Sequence, residues 1–493
     1  MKFTRRRFLK ASLIGASAAP RILAATGSPS LVNGEIQVAV VGLHQQGKGH
    51  MRTYLKMPGT RLVALCDVDS TILAERAEEC AKAGFKVTTY RDYRKLLEDK
   101  LIDAVVIATP NHQHALQTIW ALQAGKDVYC EKPLSHNVWE GRQVLAAERA
   151  HPKNMVFAGT QNRSSEDIQE AIAHIRSGAL GKVLWVRGLC YKLRESIGHF
   201  SATHPVPATI DYDLWTGPAD LVPPHRNSPR YGPVHYDWHW FWNYGGGDIT
   251  NQGIHQVDVA RWFLGESALP PSVMSFGGRF GLQDDAETPN TLVSVFNYER
   301  APLIFEVRGL PQKSGLRAVD AYRGTRIGVV VHCEHGYLTV SESGTVVAYD
   351  HNHRKLNQWS KNTLGRHRAN FVRALQTRTV SGARAEECHL SSALCHVANL
   401  SYCLGRDVAN TRLAEAIRGS ALTQETHGRV LDHLKANTVD VDQVPSVMGP
   451  LLTMDPQGLR VSGEDREIDA AASRSPLFKR QGREGFRIPA LTA

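Results

Sequence analysis

From residue 36 the chain alternates short apolar runs with stretches in which apolar residues recur every three or four positions. The runs at 36–41, 61–66, 103–108, 127–130 and 155–159 are too short for helices. Most lack polar alternation, as strands covered on both faces do. Between them the spacing predicts helices over 47–56, 71–83, 112–124 (with Gly125 as its stop) and 138–150. Strand and helix in strict turn specify a doubly wound parallel sheet, an α/β Rossmann-type domain spanning 36–160.

Beyond residue 160 the rhythm changes. A helix over 164–177 is followed by a long alternating strand at 182–192. Residues 211–244 are dense in Pro, Trp, His and Tyr and read as a loop region. One continuous helix is expected over 248–264. Strand-like runs at 272–280, 291–298, 303–308, 327–332 and 336–340 then follow without helices between them, before helices return at 367–377 and 389–404. This pattern predicts an α+β second domain over 161–440 with a mostly antiparallel sheet. Residues 441–493 read as an irregular tail.

The 493 residues are too many for one ordinary core, which agrees with two domains. A net charge of +10 raises the question of nucleic acid, but six of those charges lie in residues 1–25, and without that stretch +10 becomes +4. No basic stripe is interleaved with aromatics, so a nucleic-acid partner is not expected. The eight cysteines form no CxxC pair, and no metal site or disulfide framework is expected. The amino terminus, Thr4-Arg5-Arg6-Arg7-Phe8-Leu9-Lys10 followed by small and apolar residues 11–19, reads as a twin-arginine export signal occupying 1–25. Its apolar run is too short to span a bilayer, so the expectation is a periplasmic or otherwise exported protein without stable membrane insertion. That pathway carries folded proteins, which suits a chain that loads a cofactor before export.

Four stretches carry candidate chemistry. Gly42-Leu43-His44-Gln45-Gln46-Gly47 lies at a strand-to-helix turn, where helix N-terminal amides hold a pyrophosphate. His44 stands where the dinucleotide fingerprint has a glycine, which sets the phosphate-loop geometry in question. Asp67, ending the second strand about 20 residues on, is placed to bind an adenosine ribose and favours NAD over NADP. Thr109-Pro110-Asn111-His112-Gln113-His114 follows the 103–108 strand; taken alone, Asn111 reads as a helix cap. Glu131-Lys132-Pro133 closes the 127–130 strand, since proline cannot continue a central strand. Within Gly245-Gly246-Gly247-Asp248 through Asp258, a helix sets Asn251, His255 and Asp258 on one face.

Together, Ala108 to His114, Glu131-Lys132-Pro133 and Gly253-Ile254-His255-Gln256-Val257-Asp258 resemble the Gfo/Idh/MocA oxidoreductases, the glucose–fructose oxidoreductase and inositol dehydrogenase family. Gly159-Thr160-Gln161-Asn162-Arg163 and Glu387-Cys388-His389-Leu390-Ser391-Ser392 are similar to its exported bacterial branch. The likeness covers roughly 36–410. It implies a Rossmann domain, a second domain with an open-faced sheet, a tightly held nicotinamide dinucleotide (NAD, with NADP the alternative), a sugar or polyol substrate, and assembly as a dimer or tetramer. By position it implies that Lys132 is the active-site lysine and His255 the catalytic histidine. Cofactor contacts then fall on Gly42, Leu43, His44, Gln45, Gln46, Gly47, Asp67, Thr109, Pro110, Asn111, His114, Glu131, Lys132 and Gln161. Asn251 stands where many members have an aspartate, so the proton path is expected to run through His255, supported by Asp258 or Asp248.

The chemistry expected is hydride transfer from a sugar carbinol, with His255, at a pKa near neutrality, taking the hydroxyl proton and Lys132 stabilising the alkoxide. Asp258 is expected to fix the histidine's tautomer or hold a substrate hydroxyl. Tyr236, Trp238, Trp240, Trp242 and Tyr244 are candidates for an aromatic floor under a sugar ring. Outside the cytoplasm there is no free NAD pool, so the cofactor must be recycled in place. Two alternatives stand beside the oxidoreductase: an NAD-dependent glycoside hydrolase working by transient oxidation and elimination, and a non-catalytic sugar- or cofactor-binding protein.

Overall fold

The computed structural model describes residues 34–455, 460–463 and 465–491. The proposed export signal lies outside them. The first domain runs β1 (Ile36–Val41), α1 (Gln45–Tyr54), β2 (Thr60–Cys66), α2 (Ser70–Lys82), β3 (Thr88–Tyr90), α3 (Tyr93–Glu98), β4 (Ala104–Ile107), α4 (His114–Gln123), β5 (Asp127–Cys130), α5 (Val138–Ala150) and β6 (Val156–Ala158). Its six strands are all parallel, in the order β3-β2-β1-β4-β5-β6. The order reverses between β1 and β4, which opens a crevice at their carboxyl ends. The strands β1, β4 and β5 are buried along their whole length, because helices cover both faces.

The second domain continues with α6 (Glu166–Arg176), β7 (Val183–Tyr191), α7 (Tyr212–Thr216), α8 (Gly247–Asn251), α9 (Gly253–Leu264), β8 (Ser272–Gly278), β9 (Thr291–Asn297), β10 (Leu303–Arg308), β11 (Ile327–Cys333), β12 (Gly336–Ser341), β13 (Val346–Tyr349), β14 (Lys355–Trp359), α10 (His367–Thr377) and α11 (Ala385–Cys403). It ends with β15 (Arg406–Val408), α12 (Asn410–Ala416), α13 (Ala421–Ala436), β16 (Ser446–Met448), β17 (Leu452–Met454), β18 (Val461–Ser462) and α14 (Arg466–Arg474). The sheet is antiparallel apart from the β7–β10 pair.

Two helices lock the halves together. α10 turns back onto the first domain, where Phe371, Val372 and Leu375 join the core beneath β1 and β4. α11 packs on α5 of the first domain and on β8 of the second. The cleft between the halves therefore has walls fixed on both sides.

Three expectations change. The helix expected over 248–264 is two, interrupted at Gln252. The tail expected to be irregular supplies β16 and β17, which extend the large sheet along β8, and its Phe486 and Ile488 enter the first domain's core. The segment 211–244 is a built unit, with Ile210, Trp215, Val234, Trp240, Phe241 and Tyr244 forming a small core of their own.

Candidate active site

A cleft of about 720 Å³ lies between the carboxyl edge of the parallel sheet and the second domain. That volume falls in the range of small-molecule and cofactor sites. The β1–α1 turn forms one end. Gly42 has φ +81°, and a Cβ there would sit 2.7 Å from the Ala108 carbonyl oxygen. A Cβ on Gly47 would sit 1.6 Å from the Gly42 oxygen. Both glycines are thus required by the turn. His44 is not such a position: at φ −71° and ψ −170° its backbone is extended and open to any residue. The missing fingerprint glycine leaves the turn's backbone intact.

Asp67 braces this turn. Its carboxylate accepts from the Leu43 amide at 2.7 Å and from the Asp69 amide at 2.9 Å. Burial raises its pKa, and the two amide bonds oppose that rise. Gln45 donates across to the Tyr231 hydroxyl of the second domain, and Gln46 donates to Glu131 at the end of β5. Thr109 donates its hydroxyl to Gln117, and Pro110 and Asn111 line the cleft. Asn111 makes no capping bond; Pro110 occupies the cap position. His114 sits between the carbonyls of Pro133 (2.6 Å) and Thr109 (2.8 Å), tying the two loops together.

At the centre are Glu131 and Lys132. Glu131 Oε1 accepts from Gln46 Nε2 at 2.7 Å and from His50 Nε2 at 2.9 Å, with Gln161 Nε2 at 3.3 Å. Burial pushes this carboxyl up, but the hydrogen bond from His50 and the Lys132 charge oppose it, and the carboxyl is held well below the usual range. Arg368 Nε donates to His50 Nδ1, so the neutral ring carries its proton on Nε2 and gives it to Glu131. His50 and Arg368 carry no motif that marks them in the sequence; only the packing of α1 against α10 shows them as supports of Glu131. Lys132 Nζ donates to the backbone carbonyl of Asn251 at 2.7 Å. Because that acceptor is backbone, the asparagine found in place of an aspartate does not alter it. Burial lowers the Lys132 pKa, partly offset by the Glu131 charge.

The facing wall comes from the break between α8 and α9. Asn251 and His255 line the cleft. No side-chain hydrogen bond engages the His255 ring among the described residues, which leaves both nitrogens to a ligand. Burial, then the neighbouring Lys132 charge, push the His255 pKa down to about 3, against the near-neutral value expected from sequence. A base must be unprotonated to act, so its activity is lost as pH falls through that value. The predicted result is a kcat/KM profile for substrate oxidation that stays flat down to about pH 5. An ordinary histidine would bend it near 6.5. A pH–rate series from 4 to 9 checks this. The alkaline limb, where Lys132 loses its charge, should lie below the ordinary lysine range.

Asp258 does not join His255. Its carboxylate is 1 % exposed and held by Arg163 through two bonds of 2.9 and 2.8 Å, with the Ser391 hydroxyl at 2.7 Å. Burial raises its pKa, but the Arg163 guanidinium overrides this and keeps it ionised. A buried carboxylate beside a free guanidinium pairs with it, and Arg163 follows β6 at the height of α9. The expected tautomer-fixing role of Asp258 is replaced by a structural one. Asp248 is likewise taken, by Arg194. The Gly159–Arg163 and Glu387–Ser392 motifs thus meet: Arg163 also lies 3.2 Å from Glu387, which in turn pairs with Arg261.

The aromatic segment divides. Tyr236 and Trp238 line the cleft, as does His239, whose ring stacks on Trp238 at 3.7 Å. Trp240 and Tyr244 are buried in the segment's own core, and Trp242 packs against the second-domain core. The segment closes over the nucleotide-turn end of the cleft. Thr209 O accepts from Ser70 N, Val68 O from Asp211 N, and His235 Nε2 lies 3.2 Å from Asp69. The His44 and His235 ring centroids lie 3.8 Å apart, with the planes tilted by 39°. One ring nitrogen of each and an Asp69 oxygen come within 4.8 Å of one another. The rings are nevertheless nearer than two imidazoles radiating from one tetrahedral ion, so the trio acts as a clasp.

Comparison with known proteins gives this geometry a lineage. Residues 36–160 match the model of an oxidoreductase family's NAD-binding Rossmann fold, and 167–287 match the C-terminal alpha/beta domain of the same family. Inositol 2-dehydrogenase of Salmonella typhimurium is 33% identical over 181 residues, covering 36% of this chain and 52% of that one. Inositol 2-dehydrogenase 4 of Saccharopolyspora erythraea is 35% identical over 244 residues, covering 49% and 57%. The chain spans about half the length of the curated relatives it matches. The WlbA dehydrogenase of Bordetella pertussis, solved with NADH and UDP-GlcNAcA, superposes with a TM-score of 0.54 at 20% identity, over 73% of this chain and 94% of that one. At that identity the likeness is one of fold. Both domains match in order, and the glycine turn and the Glu131-Lys132 strand end stand where the parallel sheet opens. The chain belongs to the Gfo/Idh/MocA oxidoreductase family.

Proposed function

We propose that this protein is an NAD-dependent oxidoreductase acting on a sugar or polyol hydroxyl, with its cofactor held and recycled in place. The observation that carries the reading is the pairing, across one cleft, of the Lys132 ammonium with an uncharged, unbonded His255 ring.

The residues fit a nicotinamide dinucleotide. Gly42 and Gly47 leave room for backbone to approach a pyrophosphate, Asp67 ends β2 where a ribose is read, and Thr109, Pro110, Asn111 and Glu131 continue the wall. Bound there, the dinucleotide supplies the two-electron hydride chemistry. The chain's own residues handle the proton. The carbinol oxygen lies between Lys132 and His255; the neutral ring accepts the hydroxyl proton, and the ammonium stabilises the developing alkoxide. Glu131, fixed by His50 and Gln46, keeps Lys132 charged, and the Asn251 carbonyl orients it. Tyr236 and Trp238 offer faces to a sugar ring. The clasped segment over the nucleotide end supports slow cofactor exchange, as a protein exported through the signal at 1–25 requires.

Acid-quenched protein should release one dinucleotide per chain, detected by mass spectrometry. A folded preparation with none overturns the cofactor reading and leaves a sugar-binding protein. Incubation with free sugars and aryl glycosides separates the two enzymes: keto-sugar formation supports the oxidoreductase, and aglycone release without net reduced cofactor supports the hydrolase.

A further inference from the structure

Resting on the sugar-oxidising reading of the cleft, we propose that the substrate is a sugar acid, and that Lys192 is the residue that selects its carboxylate. Two ammonium groups enter the cleft from different domains and meet at the break between α8 and α9. Lys132 donates to the carbonyl of Asn251, and Lys192 donates to the side-chain oxygen of the next residue, Gln252, at 3.1 Å. Both line the cleft, and the Lys192 charge bears on Lys132. Neither makes an ion pair among the described residues.

The carboxylates on the same wall are committed. Asp67 takes two backbone amides, Glu131 takes His50 and Gln46, and Asp92 pairs with Arg94. Arg194, the next cation along, is bound through both oxygens of Asp248. Two ammoniums in one cleft, neither held in an ion pair among the described residues, repel each other. An anion between them relieves that repulsion and exchanges neutral acceptors for charged ones. Lys132 is committed to the reacting oxygen. Lys192 is then free for a carboxylate a short distance away on the same substrate. A neutral polyol leaves Lys192 with only the Gln252 amide. Two point-charge donors, beside an Arg194 whose guanidinium fork is already taken by Asp248, suit a monoanionic carboxylate better than a phosphate.

The test is calorimetric and needs no turnover. Protein isolated with its dinucleotide is titrated with glucose, galactose and mannose, with the matching uronates, and with glucose 6-phosphate, at low and high salt. In each stereochemical pair that binds, the uronate should bind at least about ten-fold tighter than the hexose, and added salt should erode that difference. Lys192→Met should abolish the preference while leaving hexose affinity and the thermal midpoint unchanged; Lys192→Gln, which keeps a polar group beside Gln252, should do the same. Equal affinities within the pairs, no binding by any uronate, or a preference that survives both substitutions overturns the proposal. Tighter binding of glucose 6-phosphate than of glucuronate also overturns it and assigns the charges to a phosphate. Failure of the underlying reading shows separately, as absence of dinucleotide from the same preparation.

Discussion

Replacing Lys132 with methionine is expected to lower kcat by about a thousand-fold, with the bound dinucleotide retained. A single electrostatic donor aimed at a developing oxyanion accounts for about a hundred- to a thousand-fold in rate. Lys132 stands at the upper end because its ammonium is desolvated and reaches the cleft from the strand end where the cofactor turn also lies. Methionine fills the volume of the stem and removes only the charge. The Asn251 carbonyl loses its donor, but it borders the cleft and water replaces the contact. Dinucleotide content and the thermal midpoint should therefore stay near wild type while kcat falls and KM changes little. A loss confined to KM would make Lys132 a binding residue and shift the oxyanion role elsewhere, with His239 an alternative on the cleft wall.

The second large effect is on stability. Asp258→Ala leaves the Arg163 guanidinium, itself 5 % exposed, without its bidentate partner. Breaking a buried pair by removing one member costs about 3–5 kcal/mol. Glu387 lies near enough to recover part of this, since it sits 3.2 Å from Arg163. Asp258→Asn keeps one oxygen for Arg163 and should cost less. The stability midpoint in urea reads both. The kinetic control separates the structural role from the catalytic one suggested by the helix spacing: in Asp258→Asn the acid limb of the pH–rate profile should stay where wild type has it. A limb displaced by a unit or more would return Asp258 to the proton path.

The architecture was readable because its signals are local. Apolar runs without alternation mark buried parallel strands, and the five of the first domain appear in the structure within a residue or two of their expected ends. β3 and β14 lack that signal: one is three residues long and the other, KLNQW, is an exposed, polar edge. The break at Gln252 could not be read from helical spacing, because the periodicity of 248–264 continues through it. It matters, since the break is where Lys132 and Lys192 find their acceptors. The candidate site was readable where the backbone dictates residue type, as at Gly42 and Gly47, and where a charge ends a strand, as at Lys132. The partnership of Asp258 was not, because Arg163 lies 95 positions away in the chain and only the packing of α9 against the turn after β6 joins them. His50 and Arg368, separated by 318 positions, were hidden for the same reason.

In the proposed reaction this cleft moves a hydride between a sugar carbinol and a dinucleotide it does not release. Protein isolated with its cofactor, mixed with sugars deuterated at the carbinol carbons and quenched within a turnover, tests it most directly. The expected result is a dinucleotide that carries a single deuterium on the nicotinamide ring in wild type and none in Lys132→Met. Consumption of substrate with an unlabelled dinucleotide, or a folded protein from which no dinucleotide is released, would contradict it.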